Sequence, residues 1–254
     1  MKPLPRWFVA SLVLLAVPII DPAPALTQNS GDGFFFSRPS LVVNVHGGFA
    51  RPQAGGDLFS FVSELLTVEG SDFQGFVGGA TVAVPIRDRI DASLSVEYTG
   101  RTRNSEFHDY VEEVNGVDRP IEQTNRFQRI PVTVNAAYYL LPRGRSIGSL
   151  AWVPERYAPY VGLGAGAVRY HFSQAGDFVD MDDFGIFVDR LESEGWAPAA
   201  RAFVGFEYSL TTRFGFTTEL DYLWSRAELQ RDFSDFENID LSGFSASAGL
   251  SLRL

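Results

Sequence analysis

No cysteine occurs in the 254 residues. Disulfides and thiolate metal sites are therefore excluded, and so is a lipoprotein anchor, which is built on a cysteine thiol. Histidine is scarce, with three residues at 46, 108 and 171 that make no recognisable metal set, and neither metal nor cofactor is expected. Positive charge is lacking overall: the net charge of −10 argues against nucleic acid as a partner. Long apolar runs are missing too, apart from Trp7 to Ile20, interrupted by Ser11 and Pro18. That run is short for a spanning helix. It follows Lys2 and Arg6 and precedes Ala23-Pro24-Ala25, the layout of a cleaved signal peptide over 1–25. A leader over 26–39 and one barrel domain over 40–254 complete the organisation, because no Ser/Gly/Pro-rich linker divides the rest.

What the chain does have is strict alternation. Ile90, Ala92, Leu94, Val96 and Tyr98 occupy one parity, and Asp91, Ser93, Ser95, Glu97, Thr99 and Arg101 the other. Successive side chains of a strand point to opposite faces, so one face is apolar and the other polar. The pattern returns over 129–141, 199–210, 214–225 and 244–254, each about long enough for a tilted strand to cross a bilayer. Eight strands are expected, over 40–50, 73–86, 89–103, 123–141, 159–172, 197–210, 213–226 and 240–254. The fold class is all-β: an eight-stranded antiparallel up-and-down transmembrane β-barrel with short periplasmic turns and long acidic outer loops. An even number closes the ring and leaves no edge unpaired in lipid.

Connection lengths support this reading. Arg87-Asp88-Arg89 and Thr211-Thr212-Arg213 are tight turns, whereas 51–72, 102–122, 173–196 and 226–240 are long loops holding 22 acidic residues against six arginines. The connection 142–158 is long for a periplasmic turn; its Leu150, Trp152 and Val153 are expected along the inner membrane surface or as a plug in the base. A soluble lipocalin-like calyx also has eight alternating strands, with the apolar parity inside. Three features favour the membrane: an apolar parity nearly free of charge, long loops at one end, and aromatics near strand ends. These are Tyr98, Tyr138, Tyr139, Tyr160, Tyr170, Tyr208, Tyr222 and Trp224, as interfacial girdles require.

The polar parity then faces the lumen. It places Asn44, His46 and Asn135 there, with an ionic network of Glu97, Arg129, Arg201, Glu207, Glu219, Asp221 and Arg253. Arg201 and Glu207 adjoin Glu219 and Asp221 on the next strand, which suits cross-strand pairing. An eight-stranded bore is filled by its side chains, so a plugged lumen is expected. In the first outer loop, apolar residues at 58, 61, 62, 65 and 66 have helical spacing, with Asp57 as N-cap. A short amphipathic helix packing at the mouth is expected there. Asp180 to Gly185 begins like a calcium loop, but Phe184 and Leu191 stand where ligands belong, and no specific site is expected.

The segment PYVGLGAGAVRY at 159–170, with RIPVTVNAAYYLLP at 129–142, resembles the small outer-membrane β-barrel superfamily of OmpA-, OmpX- and OmpW-like proteins. The resemblance implies outer-membrane location in a Gram-negative-type envelope, insertion by the barrel-assembly machinery, and contact with lipids and lipopolysaccharide, bridged by divalent cations at the acidic loops. Such barrels usually end on an aromatic residue, whereas this chain ends Leu252-Arg253-Leu254. A monomer is expected, non-enzymatic, with a structural or surface-interaction role. The alternative is a narrow channel or gated passage for small solutes, hydrophobic ones included. A third reading is a lipid-modifying enzyme at the rim, since His171-Phe172-Ser173 is similar to the His-x-Ser of lipid A deacylase barrels, with Asp177 as the acid.

Overall fold

A computed structural model describes residues 33–148, 151–180 and 184–254. The export signal, the first half of the leader, Leu150 and the centre of the calcium-like stretch lie outside these residues. Long strands dominate: β1 (Val42–Pro52), β2 (Gly75–Arg87), β3 (Ile90–Val114), β4 (Val117–Tyr139), β5 (Gly144–Ile147), β6 (Ala151–Pro154), β7 (Tyr157–Val179), β8 (Ile186–Ser209), β9 (Phe214–Ala227), β10 (Ile239–Asp240) and β11 (Gly243–Arg253). Among the described residues one α-helix, α1 (Asp57–Leu65), lies in the first outer connection. Among the described residues no helix is long and apolar enough to cross a membrane, which bears on helices alone.

Eight strands form a closed antiparallel ring, β9-β11-β1-β2-β3-β4-β7-β8, shut by pairing of β8 with β9 from Ala199↔Ser225 to Ser209↔Gly215. β5 and β6 form a separate small hairpin at the base, and β10 is a short addition to β9. Closure gives every strand of the ring two partners, which backbone amides require where no water can reach them.

The two faces of the ring decide the medium around it. Leu163, Leu220 and Val134 point outward and are 69%, 60% and 63% exposed, while Arg253, Glu207 and Arg201 point inward and are 2%, 3% and 5% exposed. A calyx needs the reverse, so the barrel is of the membrane-spanning kind. Exposed aromatics form two belts, Tyr98, Trp196, Trp224 and Phe244 toward the outer end and Tyr138, Tyr157 and Phe214 toward the base. Three of the expected girdle residues are elsewhere. Tyr139, Tyr160 and Tyr170 are buried inside the ring, because each sits on the inward parity of its strand.

The loops expected over 102–122 and 173–196 are instead continuations of strands. Pairing of β2 with β3 stops at Val77↔Thr99 and that of β8 with β9 at Ala199↔Ser225, yet β3-β4 and β7-β8 run on to Val114↔Val117 and Val179↔Ile186. Four strands thus rise above the rim as a blade. Asn115 and Gly116, both with positive φ, make the tight turn at one tip, the conformation a two-residue hairpin of the primed type demands.

Above the membrane level the inward face turns apolar. Phe127, Val168, Tyr170, Phe172 and Leu223 point in, where Arg129, Gly166 and Asp221 stand lower on the same strands. Into this mouth fold the first and last outer connections, bringing Leu58, Phe59 and Val62 of α1 with Phe73, Leu229, Phe233, Ile239 and Leu241. The Phe59 ring lies 5.5 Å from Phe73, 5.5 Å from Phe127 and 5.4 Å from Phe172. α1 is therefore a cork, held by burial of its apolar stripe and edge-to-face ring packing. Gly56, not Asp57, is its N-cap. With φ at 102° and the Asn238 carbonyl against it, that position leaves no space for a side chain.

Candidate functional site

Below the cork the lumen is filled by two layers of ion pairs. In the upper layer Arg201 of β8 reaches Glu97 of β3 at 2.9 Å, Glu219 of β9 at 2.7 Å and Asp221 of β9 at 3.0 Å. His46 of β1 stands 3.5 Å from Glu97 through Nε2, while its Nδ1 lies 3.1 Å from the Asn44 amide oxygen. In the basal layer Arg253 of β11 holds Glu207 of β8 at 2.6 Å. Arg143, from the connection after β4, clamps Glu207 at 3.2 Å and Asp91 of β3 at 2.5 Å, and lies over the Tyr139 ring at 4.5 Å. Guanidinium forks suit such multiple carboxylate contacts, and the pairs offset part of the cost of burying the charges.

All seven network positions expected from parity face inward, and the expected cross-strand pairs form through Arg201. Arg201 takes both acids of β9, whereas Glu207 takes none of its neighbours there and bonds to Arg253 and Arg143. Arg129 joins no carboxylate within ion-pair reach; it donates to the backbone carbonyls of Leu241 and Ser242, tying β4 to the last outer connection. Parity places Asp91 on the polar face, but the basal layer is completed by Arg143, which lies in a connection and carries no parity. The long 142–158 connection enters the base through Arg143, a residue not among the three expected there; of those, Trp152 packs against Phe35, with centroids 6.1 Å apart.

Glycines make room for this filling. Phe203 occupies the space a Cβ at Gly162 would need, and Asn135 lies over Gly164. The His46 ring covers Gly79. These side chains lie over their directly paired neighbours, because the adjoining strand offers bare backbone there.

The rim residues are not assembled. His171 and Ser173 lie two positions apart on one strand, about 7 Å along it, and Asp177 is about 20 Å from His171 at the usual rise per residue. His171 turns instead to Glu194 at 3.9 Å, and burial pushes its pKa down. Glu194 is also held by Arg231 at 2.7 Å. Among the described residues no three histidine, aspartate or glutamate side chains converge as a metal set.

No protein-family model matches this sequence, and no curated protein matches it. Solved structures do show likeness. The outer membrane protein OprG from Pseudomonas aeruginosa has 14% identity over 87% of this chain and 99% of its own, with a TM-score of 0.47. Ail, the attachment invasion locus protein of Yersinia pestis, has 12% identity over 85% and 100%, with a TM-score of 0.44. The outer membrane protease OmpT from Escherichia coli has 10% identity over 89% and 100%, with a TM-score of 0.43. Likeness at that level says nothing about role, and one of these barrels is a protease. The fold itself rests on the strand pairing, the charged interior and the apolar exterior: the chain is an eight-stranded antiparallel β-barrel of the membrane-spanning kind.

Proposed function

We propose that the protein is an integral outer-membrane barrel with a closed lumen, acting at the cell surface through the blade of β3, β4, β7 and β8. The observation that carries this reading is the double closure of the bore, by the aromatic cork above and the two ion-pair layers below. A bore closed in this way offers no ready route for solutes, and the outward-facing structure left is the blade. Near the blade's tips Val111, Val117, Phe184 and Val188 are 61%, 61%, 63% and 81% exposed, among Asp109, Glu112, Glu113, Asp118 and Asp189. Exposed apolar side chains rimmed by charge are the usual make-up of a protein-binding surface.

The absence of native cysteine gives a direct test. Val188→Cys and Asp88→Cys variants are treated in intact cells with a maleimide that cannot cross membranes. Labelling of the blade variant alone is expected, together with purified protein that leaves a planar bilayer at its empty-membrane conductance. Labelling at position 88 alone would invert the orientation, and steady unitary currents from the native protein would overturn the closed-lumen reading.

A further inference from the structure

The outward face of the ring changes character where it leaves the bilayer. Arg51 is paired directly with Phe244, and Arg169 with Trp196, two aromatics of the outer belt. Arg226 lies two residues above Trp224, and Arg126 two residues above Gln128, whose side-chain amide is 2.7 Å from the Tyr98 hydroxyl. All four arginines are exposed, and they share strand parity with the lipid-facing Phe49, Leu163, Trp224 and Val134. The acids beside them are committed: Glu194 is held by Arg231 at 2.7 Å and reaches Arg169 at 3.6 Å, and Asp240 accepts the Ser242 N–H at 2.8 Å. A collar of arginines from β1, β4, β7 and β9 therefore stands at the headgroup level that aromatic belts mark.

At Arg51 the collar contains a recess. It is open, of about 280 Å³, and lined by Arg51, Pro52, Gln53, Ser71 and Phe244, with no acid in its wall. Among the described residues Arg51 has no carboxylate within ion-pair reach. Glu69 is engaged in the capping box of the 3-10 turn Gly70–Phe73, where it also takes the Ser71 hydroxyl at 3.4 Å. The donors that the recess offers are thus the Arg51 guanidinium and the Gln53 amide. Below them runs an aromatic path toward the lipid. The Phe244 ring is 62% exposed and lies 4.4 Å from Tyr222, which lies 4.6 Å from Trp224.

We propose that this recess holds the phosphate of a lipid headgroup of the surrounding leaflet, gripped by Arg51 and Gln53 while the acyl chains run down over Phe244 and Tyr222. A guanidinium fork matches phosphate oxygens in pairs, and its positive charge is otherwise unanswered here. Position selects the source of the phosphate. The recess opens directly above the aromatic belt, at the depth where lipid phosphates lie, and a soluble anion gains nothing from the rings beneath. Such a grip needs no bridging metal, in contrast to a lipid contact made through the carboxylates of the acidic hairpins. It also stands apart from the blade, whatever the blade meets.

Native mass spectrometry of the whole folded barrel tests this, in a neutral detergent with EDTA present. Phosphatidic acid, whose headgroup is a bare phosphomonoester, is expected to be retained as one tightly bound lipid. Arg51→Gln should weaken that binding about tenfold, as the loss of one charged hydrogen-bonding group does, and Arg51→Lys should keep part of it. Arg119→Gln removes the same charge from an exposed position on the blade and should leave binding unchanged. The fast unboiled band on gels reports that each variant is folded. Equal retention of phosphatidylcholine, unchanged retention in Arg51→Gln, inorganic phosphate binding as tightly as the lipid, or binding that appears only when magnesium replaces EDTA would each overturn the proposal.

Discussion

Arg143 carries more of the barrel's closure than its place in a connection suggests. Its guanidinium is the only partner within ion-pair distance of Asp91 among the described residues, and it shares Glu207 with Arg253. Removing one member of a buried pair leaves the other charge uncompensated, at a cost of about 3–5 kcal/mol. Arg143→Ala is therefore expected to lower the denaturant midpoint, read as conversion of the fast unboiled band on gels to the slow one. A double Arg143→Met/Asp91→Asn variant should recover part of that loss, since neither side is left charged; no recovery would mean the contact adds nothing beyond packing. At the mouth, the carboxylate of Asp57 accepts the backbone N–H of Glu237 at 2.7 Å and of Asn238 at 3.3 Å. The Glu237 bond above all holds its pKa below the usual aspartate value. A pKa lower in the folded state means that the tie contributes fully above the unfolded pKa, about 3.9, and is lost as pH falls through the folded value. Protection of the Glu237 and Asn238 amides, corrected for intrinsic exchange, should fall as the solution is acidified below about pH 4. Asp57→Ala should show the low-protection state at neutral pH; equal protection in both proteins would show that the carboxylate does not hold the two connections together.

At the scale of elements, the period-two pattern was readable wherever the two faces of a strand meet different media. β9, expected over 213–226, is found over 214–227, and β11, expected from 240, begins at 243. Above the rim the buried positions are mostly polar, Ser105, Ser173, Gln174 and Ser193 among them, so hydrophobic alternation does not mark them, and 102–122 and 173–196 read as loops although Asn115-Gly116 is a strong hairpin signal. The cork was half legible. Helical spacing marks α1, but the buried stripe is Leu58, Phe59 and Val62 while Phe61 is 48% exposed, because the rings that choose the face come from β4 and β7, far along the chain. The lumen site follows the same division: strand parity delivers its charged residues, whereas Arg143 and the partner choice of Glu207 depend on which groups meet across the bore. Two predictions belong here. Replacing 178–187 by a two-residue turn joins the paired positions Asp177 and Val188 and, among the described residues, removes no member of the cork cluster or of the ion-pair layers. Barrel stability should stay within about 0.5 kcal/mol of the native value, as for surface changes. Phe59→Ala should cost about 3–5 kcal/mol within the cork, from lost burial and the cavity left among Phe73, Phe127 and Phe172.

For the whole molecule, the closures lie in series along one axis: the cork, the Arg201 layer and the Arg143 layer. Resistances in series add, so the tightest remaining constriction sets the current whichever other one is removed. Phe59→Ala alone leaves both ion-pair layers, and Arg201→Ala alone leaves the cork and the base. Each single variant is therefore expected at the empty-membrane conductance, and so is Arg143→Ala. Only a variant lacking Phe59, Arg201 and Arg143 together should pass ions, and it should prefer cations, because five lumen carboxylates then face only Arg129 and Arg253. Planar-bilayer recordings of the four proteins distinguish the arrangements. Current in the Phe59→Ala protein by itself would show that the charged layers leak and that the cork is the sole seal, making its movement the event that opens a passage. Current in Arg201→Ala by itself would show a cork permeable to ions and give the seal to the upper layer. Silence in the combined variant would locate the closure in the narrowness of the eight-stranded bore, with the ion pairs serving stability alone.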